Sequence, residues 1–351
     1  MVSPVEGLSF PMPVPPVPGQ TIEVSPGVHW LSASLPFRPR AINLWLLRDS
    51  NGWTMVDCGF PLRVVREQIE TTWATTLGTM PLTRLIVTHH HPDHVGNCRW
   101  ICDRWGITPT ITRGAHARAR MLMGEHWAGR SSDRLAFWQR HGLPQTAAME
   151  FDDYWSRLRD LFSPLPEDWE RIKEGDLIGI GGSDWRVIVA QGHAPEQALL
   201  HSEAHNLLIS GDQILAKITP NVSAVEDRSA SNPVALFLDS NRRLAQMCGD
   251  VLVLPSHNLP FFGLHARIKA LERLRQERLA RIESELKRTP QTAAALVPAL
   301  FGDLYNDEIG LALGEVIALL HHLVEQGRAE RLAENGRITF LSASSSTVKS
   351  G

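Results

Sequence analysis

The stretch Thr88-His89-His90-His91-Pro92-Asp93-His94 constrains this chain more than any other, because it follows directly on the short apolar run Leu85-Ile86-Val87. A buried strand that ends abruptly in a polar loop is a natural place for a functional site. Histidine and aspartate are ligands of borderline metals such as zinc, and His89, His91, Asp93 and His94 fall within six consecutive positions. Side chains two apart in an extended segment point the same way, so His89 and His91 can grip one ion while His90 points away as a non-ligand. Asp93 and His94 lie beyond the bend at Pro92 and can reach a second ion. Three further groups complete such a site, each at the end of a predicted strand: His193 in Gly192-His193-Ala194-Pro195, Asp212 in Ser210-Gly211-Asp212-Gln213, and His257 in Pro255-Ser256-His257-Asn258. That makes seven ligands for two ions, and a carboxylate between two cations can bridge them, the natural task of Asp212. A lone histidine is weak evidence for a ligand; this spacing followed by three such strand ends is strong evidence.

The surroundings of the loop read as alternating β and α elements. Ala41 to Leu47 and Trp53 to Val56 are β-rich and flank Asp49-Ser50-Asn51-Gly52, where Asn-Gly signals a hairpin, so the chain opens with antiparallel sheet. Helices are expected from after Gly59 to about Leu77 and from Val95 to about Trp105, with a strand at Thr108 to Thr112. Later strands are expected at Trp185 to Ala190, Ala198 to His201, Leu207 to Ser210 and Val251 to Leu254. Residues 114–170 read as a helical insertion dense in aromatics: Trp127, Phe137, Trp138, Phe151, Tyr154, Trp155, Phe162 and Trp169. Many of these rings must be core, yet their density near a polar site also points to a bulky, partly apolar substrate pocket.

Six prolines within residues 4–19 forbid helix and favour an extended arm on the surface. From Gly263 onward Ile268, Leu271, Leu274, Leu279, Ile282 and Leu286 recur at helical spacing. Thr292 to Phe301 and Leu313 to Val324 then read as helices, and Arg328 to Leu341 as two strands joined at Asn335-Gly336, the outline of a winged helix. The Ser-rich tail from Ser342 to Gly351 reads as disordered, and no internal repeat is present. The expected domains are an arm at 1–19, a main domain at 20–262 that carries the histidine-rich loop and contains the insertion, and a linking helix with a winged-helix-like domain at 263–351.

With 351 residues, 43% of them hydrophobic, the chain can bury one large layered core beside a small second domain. A formal net charge of −3 gives no overall pull toward a polyanion. No apolar run approaches the roughly 18 to 20 residues of a membrane span, and a cytoplasmic location is expected. Cys58, Cys98, Cys102 and Cys248 are too few and scattered for a disulfide framework, so buried reduced thiols are expected.

Together, the H-x-H-x-D-H loop and the later Gly192-His193, Gly211-Asp212 and Ser256-His257 pairs resemble the metallo-β-lactamase-fold hydrolase superfamily over roughly residues 20–262. The resemblance implies an α/β fold, an αββα four-layer sandwich with these loops along one edge of two facing sheets. It implies His89, His91 and His193 on the first ion, Asp93, His94 and His257 on the second, and Asp212 shared. Asp57, in Val56-Asp57-Cys58-Gly59, matches the family's Asp-x-Gly turn, a structural support outside the ligand list. The carboxyl end, introduced by Gly263-Leu264-His265-Ala266-Arg267-Ile268, resembles the branch that includes lactamase-β-like protein 2 and certain polyketide thioesterases. Members of that branch hydrolyse thioesters or cut RNA. Glu196 departs from the Pro-Gly continuation of glyoxalase II enzymes, Asp212 from the cysteine of common zinc β-lactamases, and His91 from the glutamate of the di-iron branch.

Two divalent ions would lower the pKa of a shared water so that hydroxide attacks a carbonyl at neutral pH, with Asp93 orienting it or accepting the proton. Zinc is the expected metal, with iron and manganese suited to the same ligands. A thiolate leaves without much help, whereas an amine needs an acid, and no dedicated acid is obvious. An acyl thioester or ester, small or carrier-bound, is therefore the expected substrate, with lactone hydrolysis and phosphodiester or RNA cleavage as alternatives. Phosphate contacts need positive charge, and residues 263–351 carry 12 Lys and Arg against 11 Asp and Glu. Nucleic acid is accordingly not expected as a partner, nor is a role as a DNA-binding regulator. The carboxyl-terminal module is expected to shape the entrance or a homodimer interface.

Overall fold

The protein is described by a computed structural model in which residues 6–123, 131–159, 161–224, 232–302, 304 and 306–343 are placed. The chain forms two units. One comprises Met1–Gly124, Leu161–Pro220 and Ser240–Ile268, the other Glu125–Asp160, Asn221–Asp239 and Lys269–Gly351.

The first unit contains two sheets. The larger takes β1 (Thr21–Ser25), β2 (Val28–Ser34), β3 (Ala41–Arg48), β4 (Trp53–Val56), β5 (Leu82–Val87), β6 (Pro109–Thr112) and β7 (Glu170–Ile172) in chain order. Its first four strands pair antiparallel through short turns, and β4 to β7 run parallel. The smaller takes β8 (Leu177–Ile180), β9 (Ser183–Ala190), β10 (Gln197–Ser202), β11 (Leu207–Gly211) and β12 (Leu252–Pro255) in the order β12-β11-β10-β9-β8. One apolar cluster joins their inner faces: Trp30, Trp45, Val56 and Ile86 from the larger, Trp185, Val187, Leu200, Ile209 and Leu254 from the smaller. Strand β3 is buried from Ile42 to Leu47, which is why its sequence is a nearly unbroken apolar run rather than an alternation.

Helices cover the outside of the larger sheet: α1 (Arg63–Thr72), extended by a π-helical turn at Trp73–Leu77, faces β2. After the short α2 (Pro92–Val95), α3 (Cys98–Trp105) faces β5 and α4 (Arg113–Met123) faces β6. The expected α/β sandwich is present, and the four cysteines are buried and free. Residues 6–19 hold no helix; Ser9 pairs with Phe262 and Phe10 packs on Phe261, so the proline-rich arm is tied to the unit.

Topology gathers the functional loops at one rim. Strands β4 and β5 are parallel, as are β11 and β12, and β9 runs in the sense of β11 because each is antiparallel to β10. The chain therefore leaves β4, β5, β9, β11 and β12 in two sets, one per sheet. Backbone hydrogen bonds from Ala198 to Thr88 (2.9 Å) and from Asn43 to Ser256 (2.7 Å) join the sheets there.

The second unit contains α5 (Ser131–Arg140), α6 (Gln145–Arg159), α9 (Ala293–Phe301), α10 (Asn306–Glu325) and the hairpin β13 (Ala329–Glu334) with β14 (Arg337–Ser342). Helices α7 (Pro233–Met247) and α8 (Leu264–Leu286) each contribute residues to both units. Helix α10 buries Leu313, Val316, Ile317, Leu320 and Leu323, and its lone mid-helix acid, Glu315, is engaged by Arg275 and Arg278. Thr292 caps α9 by accepting from the Ala295 amide, and the expected helix, helix, hairpin order is seen.

Segment 114–170, expected as a helical insertion, is divided between the units. Helix α4 belongs to the first unit, α5 and α6 to the second, and residues from Leu161 return to the first. Its aromatics divide accordingly: Phe137, Trp138 and Phe151 are buried core of the second unit. Phe151 packs so closely on Gly310 that a Cβ there would overlap its ring. Phe162 packs on Phe60, and Trp169 stacks on His116, within the first unit. Trp127 lies outside the described residues, as do positions 344–351 of the Ser-rich tail.

Candidate metal centre

All seven side chains singled out from the sequence converge at that rim. Their donor atoms form two groups, His89, His91, His193 and Asp212 in one and Asp93, His94 and His257 in the other, the atoms within each lying within 4.8 Å of one another.

The β5 loop is built on Asp57, which follows β4 with a φ of 62°. Its Oδ1 accepts from the Thr88 amide at 2.7 Å, and its Oδ2 accepts from the Thr88 hydroxyl at 2.8 Å and from His94 Nδ1 at 2.7 Å. One carboxylate thus joins the ends of two parallel strands to α2, the support role expected for it. Because the Thr88 hydroxyl donates to Asp57, it accepts from His89 Nδ1, 3.0 Å away. His257 Nδ1 likewise donates to the Ala41 carbonyl at 2.9 Å. In each case the outer nitrogen is held by a protein acceptor and Nε2 is turned inward toward the other donors, the usual way a protein orients ligating imidazoles.

In the first group His89 Nε2 lies 2.9 Å from His91 Nδ1 and 3.2 Å from His193 Nε2. Burial, reinforced by the neighbouring imidazoles, holds His89 and His91 well below the usual histidine range, so both are neutral. Asp212 stands between the groups: Oδ2 is 3.5 Å from His193 Nε2 and 3.6 Å from His94 Nε2, and Oδ1 is 3.5 Å from His257 Nε2. In the second group Asp93 Oδ2 is 3.3 Å from His257 Nε2 and 3.7 Å from His94 Nε2. Burial opposes charge here, but Asp93, Asp57 and Asp212 outweigh it and raise His94 well above its usual range. Burial is similarly outweighed at His257, raised by Asp212 and Asp93. The histidines in turn overcome burial to hold Asp93 and Asp212 below the ordinary carboxylate range.

These residues fit a metal pair. His94 Nε2 and Asp212 Oδ1 are buried with no hydrogen-bond partner, a costly state for polar atoms that a cation would relieve. Three imidazoles, those of His89, His91 and His193, also turn ring nitrogens toward one another at 2.9 and 3.2 Å, an arrangement of donors that suits a cation. His90 is buried, its ring tilted against that of His91, and belongs to neither group, in line with its reading as a non-ligand.

Sequence reasoning did not find Thr88, the Ala41 carbonyl or Asn43. Asn43 donates through Nδ2 to the carbonyls of Pro255 (2.8 Å) and Asn258 (2.7 Å) while accepting from Trp30 Nε1 (2.8 Å), and so pins the loop that carries His257. The available signal was one amide in the otherwise apolar run of β3.

Residues 37–257 match the Metallo-beta-lactamase superfamily, and residues 279–343 match the Metallo-beta-lactamase-like, C-terminal domain. The crystal structure of a Beta-lactamase domain protein from Burkholderia ambifaria is similar with a TM-score of 0.86 and 37% identity, covering 95% of this chain and 97% of that one. Probable metallo-hydrolase YqjP of Bacillus subtilis (strain 168) is 24% identical over 317 residues, 87% of this chain and 94% of that protein. Acyl-coenzyme A thioesterase MBLAC2 of Gallus gallus is 25% identical over 240 residues, 66% of this chain and 77% of that protein. With its paired sheets, its converging histidines and aspartates and a match across most of the first unit, this chain belongs to the metallo-beta-lactamase superfamily of metallo-hydrolases.

Proposed function

We propose that the chain hydrolyses an acyl thioester, small or carrier-bound, with a pair of divalent ions held by His89, His91 and His193 on one side, Asp93, His94 and His257 on the other, and Asp212 between them. The observation that carries this reading is the pair of buried donor groups meeting at Asp212. Zinc suits the three-histidine group, and iron or manganese suits the same donors. Such ions, when bound, activate water and polarise a carbonyl oxygen.

The chain's own residues do the rest. Asp93, held in its anionic form beside His257, accepts a proton from the attacking water. Asp57 and the Ala41 carbonyl keep His94 and His257 in the ligating tautomer. The leaving thiolate, with a reference pKa of about 8.5, departs without a dedicated acid. Support for a thioester also comes from the activity in the name of MBLAC2. An ester or lactone offers the same carbonyl and is the second choice. RNA cleavage draws less support, because α10 carries no Lys or Arg and its Glu315 is occupied by Arg275 and Arg278.

The test is turnover of acyl-coenzyme A, aryl esters, acyl lactones and single-stranded RNA by metal-loaded protein, beside His89→Ala. Acyl-coenzyme A hydrolysis that the variant abolishes is the expected result. Turnover confined to lactone or RNA would overturn the thioester reading, and elemental analysis with no metal before or after loading would overturn the site itself. No helix among the described residues is long and apolar enough to cross a membrane.

A further inference from the structure

The His193 loop closes the hairpin of the antiparallel strands β9 and β10, beyond the pair Ala190 and Gln197, and reaches across to the larger sheet. Its far end is tied by the Ala198 amide to the Thr88 carbonyl, next to His89. Within the loop Gln191 Nε2 donates to the Pro195 carbonyl at 2.9 Å, and the Gly192 amide donates to the Ala194 carbonyl at 3.2 Å. Between these ties stands Glu196, and both its backbone and its side chain are engaged at the junction of β6 and α4. The Thr112 hydroxyl donates to the Glu196 carbonyl at 2.7 Å. The Gly114 amide donates to Glu196 Oε2 at 2.7 Å.

That amide is one of the first-turn donors of α4, which have no partner inside the helix, and a carboxylate there also complements the helix dipole. The approach depends on residue 114 having no side chain. A Cβ at Gly114 would lie 2.8, 2.9 and 3.0 Å from Glu196 Cγ, Cδ and Cβ. The backbone of Gly114 is not in the left-handed region, so conformation alone does not demand glycine. The steric demand comes from Glu196.

We infer that Glu196 is a positioning residue for the first metal position: its carboxylate, seated on the Gly114 amide, locks the His193 loop against α4 and holds His193 in place opposite His89 and His91. The inference rests on the reading of His193 as a ligand. Glu196 touches neither substrate nor ion in this role. Gly114 is its matched partner, with a glycine on the helix and a carboxylate on the loop forming one device.

Glu196→Ala, Glu196→Gln, Gly114→Ala and the double variant Gly114→Ala/Glu196→Ala are loaded with Co(II) beside His193→Ala. Affinity for each ion is measured by chelator competition, and geometry by the visible absorption of Co(II), with thermal unfolding recorded in parallel. Glu196→Ala is expected to weaken one ion on the order of ten-fold, the low end of what loss of an outer-shell partner costs, and to alter its spectrum. Glu196→Gln keeps an acceptor oxygen and is expected to retain most of the affinity. Gly114→Ala should reproduce the Glu196→Ala affinity and spectral defect, because the new methyl displaces the carboxylate from the residue 114 amide. The double variant should be no worse than Glu196→Ala, because removing the carboxylate side chain removes what the new methyl strikes. Wild-type affinity and spectrum in Glu196→Ala, or additive losses in the double variant, would overturn the inference. If His193→Ala also binds both ions normally, the fault lies instead with the reading of His193 as a ligand.

Discussion

The two donor groups use the same side-chain types and hold protons in opposite ways. His89 and His91 sit among imidazoles, and burial with that crowding drives their protons off. His94 and His257 sit among Asp57, Asp93 and Asp212, and those carboxylates retain the protons despite burial. The ratio of carboxylate to imidazole, rather than ligand identity, thus sets whether a group meets a cation as free lone pairs or must first release protons.

The largest effect that would test this contrast is removal of Asp212, the carboxylate that stands between the groups. Asp212→Ala should lose both ions by elemental analysis and lower turnover more than about 100-fold, beyond the usual cost of an outer-shell change. His257→Ala should lose one ion, and equal losses in the two variants would dissolve the distinction between shared and private ligands.

Next comes pH. A histidine with raised pKa is protonated below that value, so an entering ion must displace the proton and affinity falls as pH falls. Affinity at the Asp93, His94 and His257 group should drop about one decade per pH unit for each proton displaced. The group containing His89 and His91 should be nearly flat over the same neutral range. Proton release on titration with zinc, measured in buffers of different ionisation enthalpy, reads the difference; identical slopes would contradict it.

A smaller effect is expected from Asp57→Asn, whose amide can no longer accept from all of the Thr88 amide, the Thr88 hydroxyl and His94 Nδ1. Affinity should fall about 10- to 100-fold, and more for the His94 group than for the other. Buried donors left unsatisfied cost roughly 1–3 kcal/mol in chemical unfolding. Smallest is Asn43→Ala, which frees the His257 loop; a loss of about ten-fold is expected for the ion that His257 holds, with the His89 group unchanged.

Legibility followed range along the chain. His89, His91, Asp93 and His94 were readable because a strand that passes into a short helix after Pro92 fixes their directions locally. Asp57 was readable through its turn motif. Thr88 was passed over because its role needs two strands side by side, and the Ala41 carbonyl because a backbone acceptor leaves no residue-type signal at all. The aromatic segment shows the same limit: Phe151 and Phe162 look alike in sequence, yet one packs on Gly310 and the other on Phe60. Which ring meets which partner depends on distant chain segments, and local periodicity carries no record of that.

What the sequence by itself determined is the inventory of donors and the strand ends on which they sit, since alternation, apolar runs and turn residues act over a few positions. Tertiary structure alone decided which protein acceptor holds the outer nitrogen of His89, His94 and His257, which carboxylates crowd which imidazoles, and where the helices after Met123 belong. Those outcomes depend on burial and on through-space distances of a few ångströms between residues far apart in the chain, and the energies that shift a proton or seat a ring exist only once those residues are brought together.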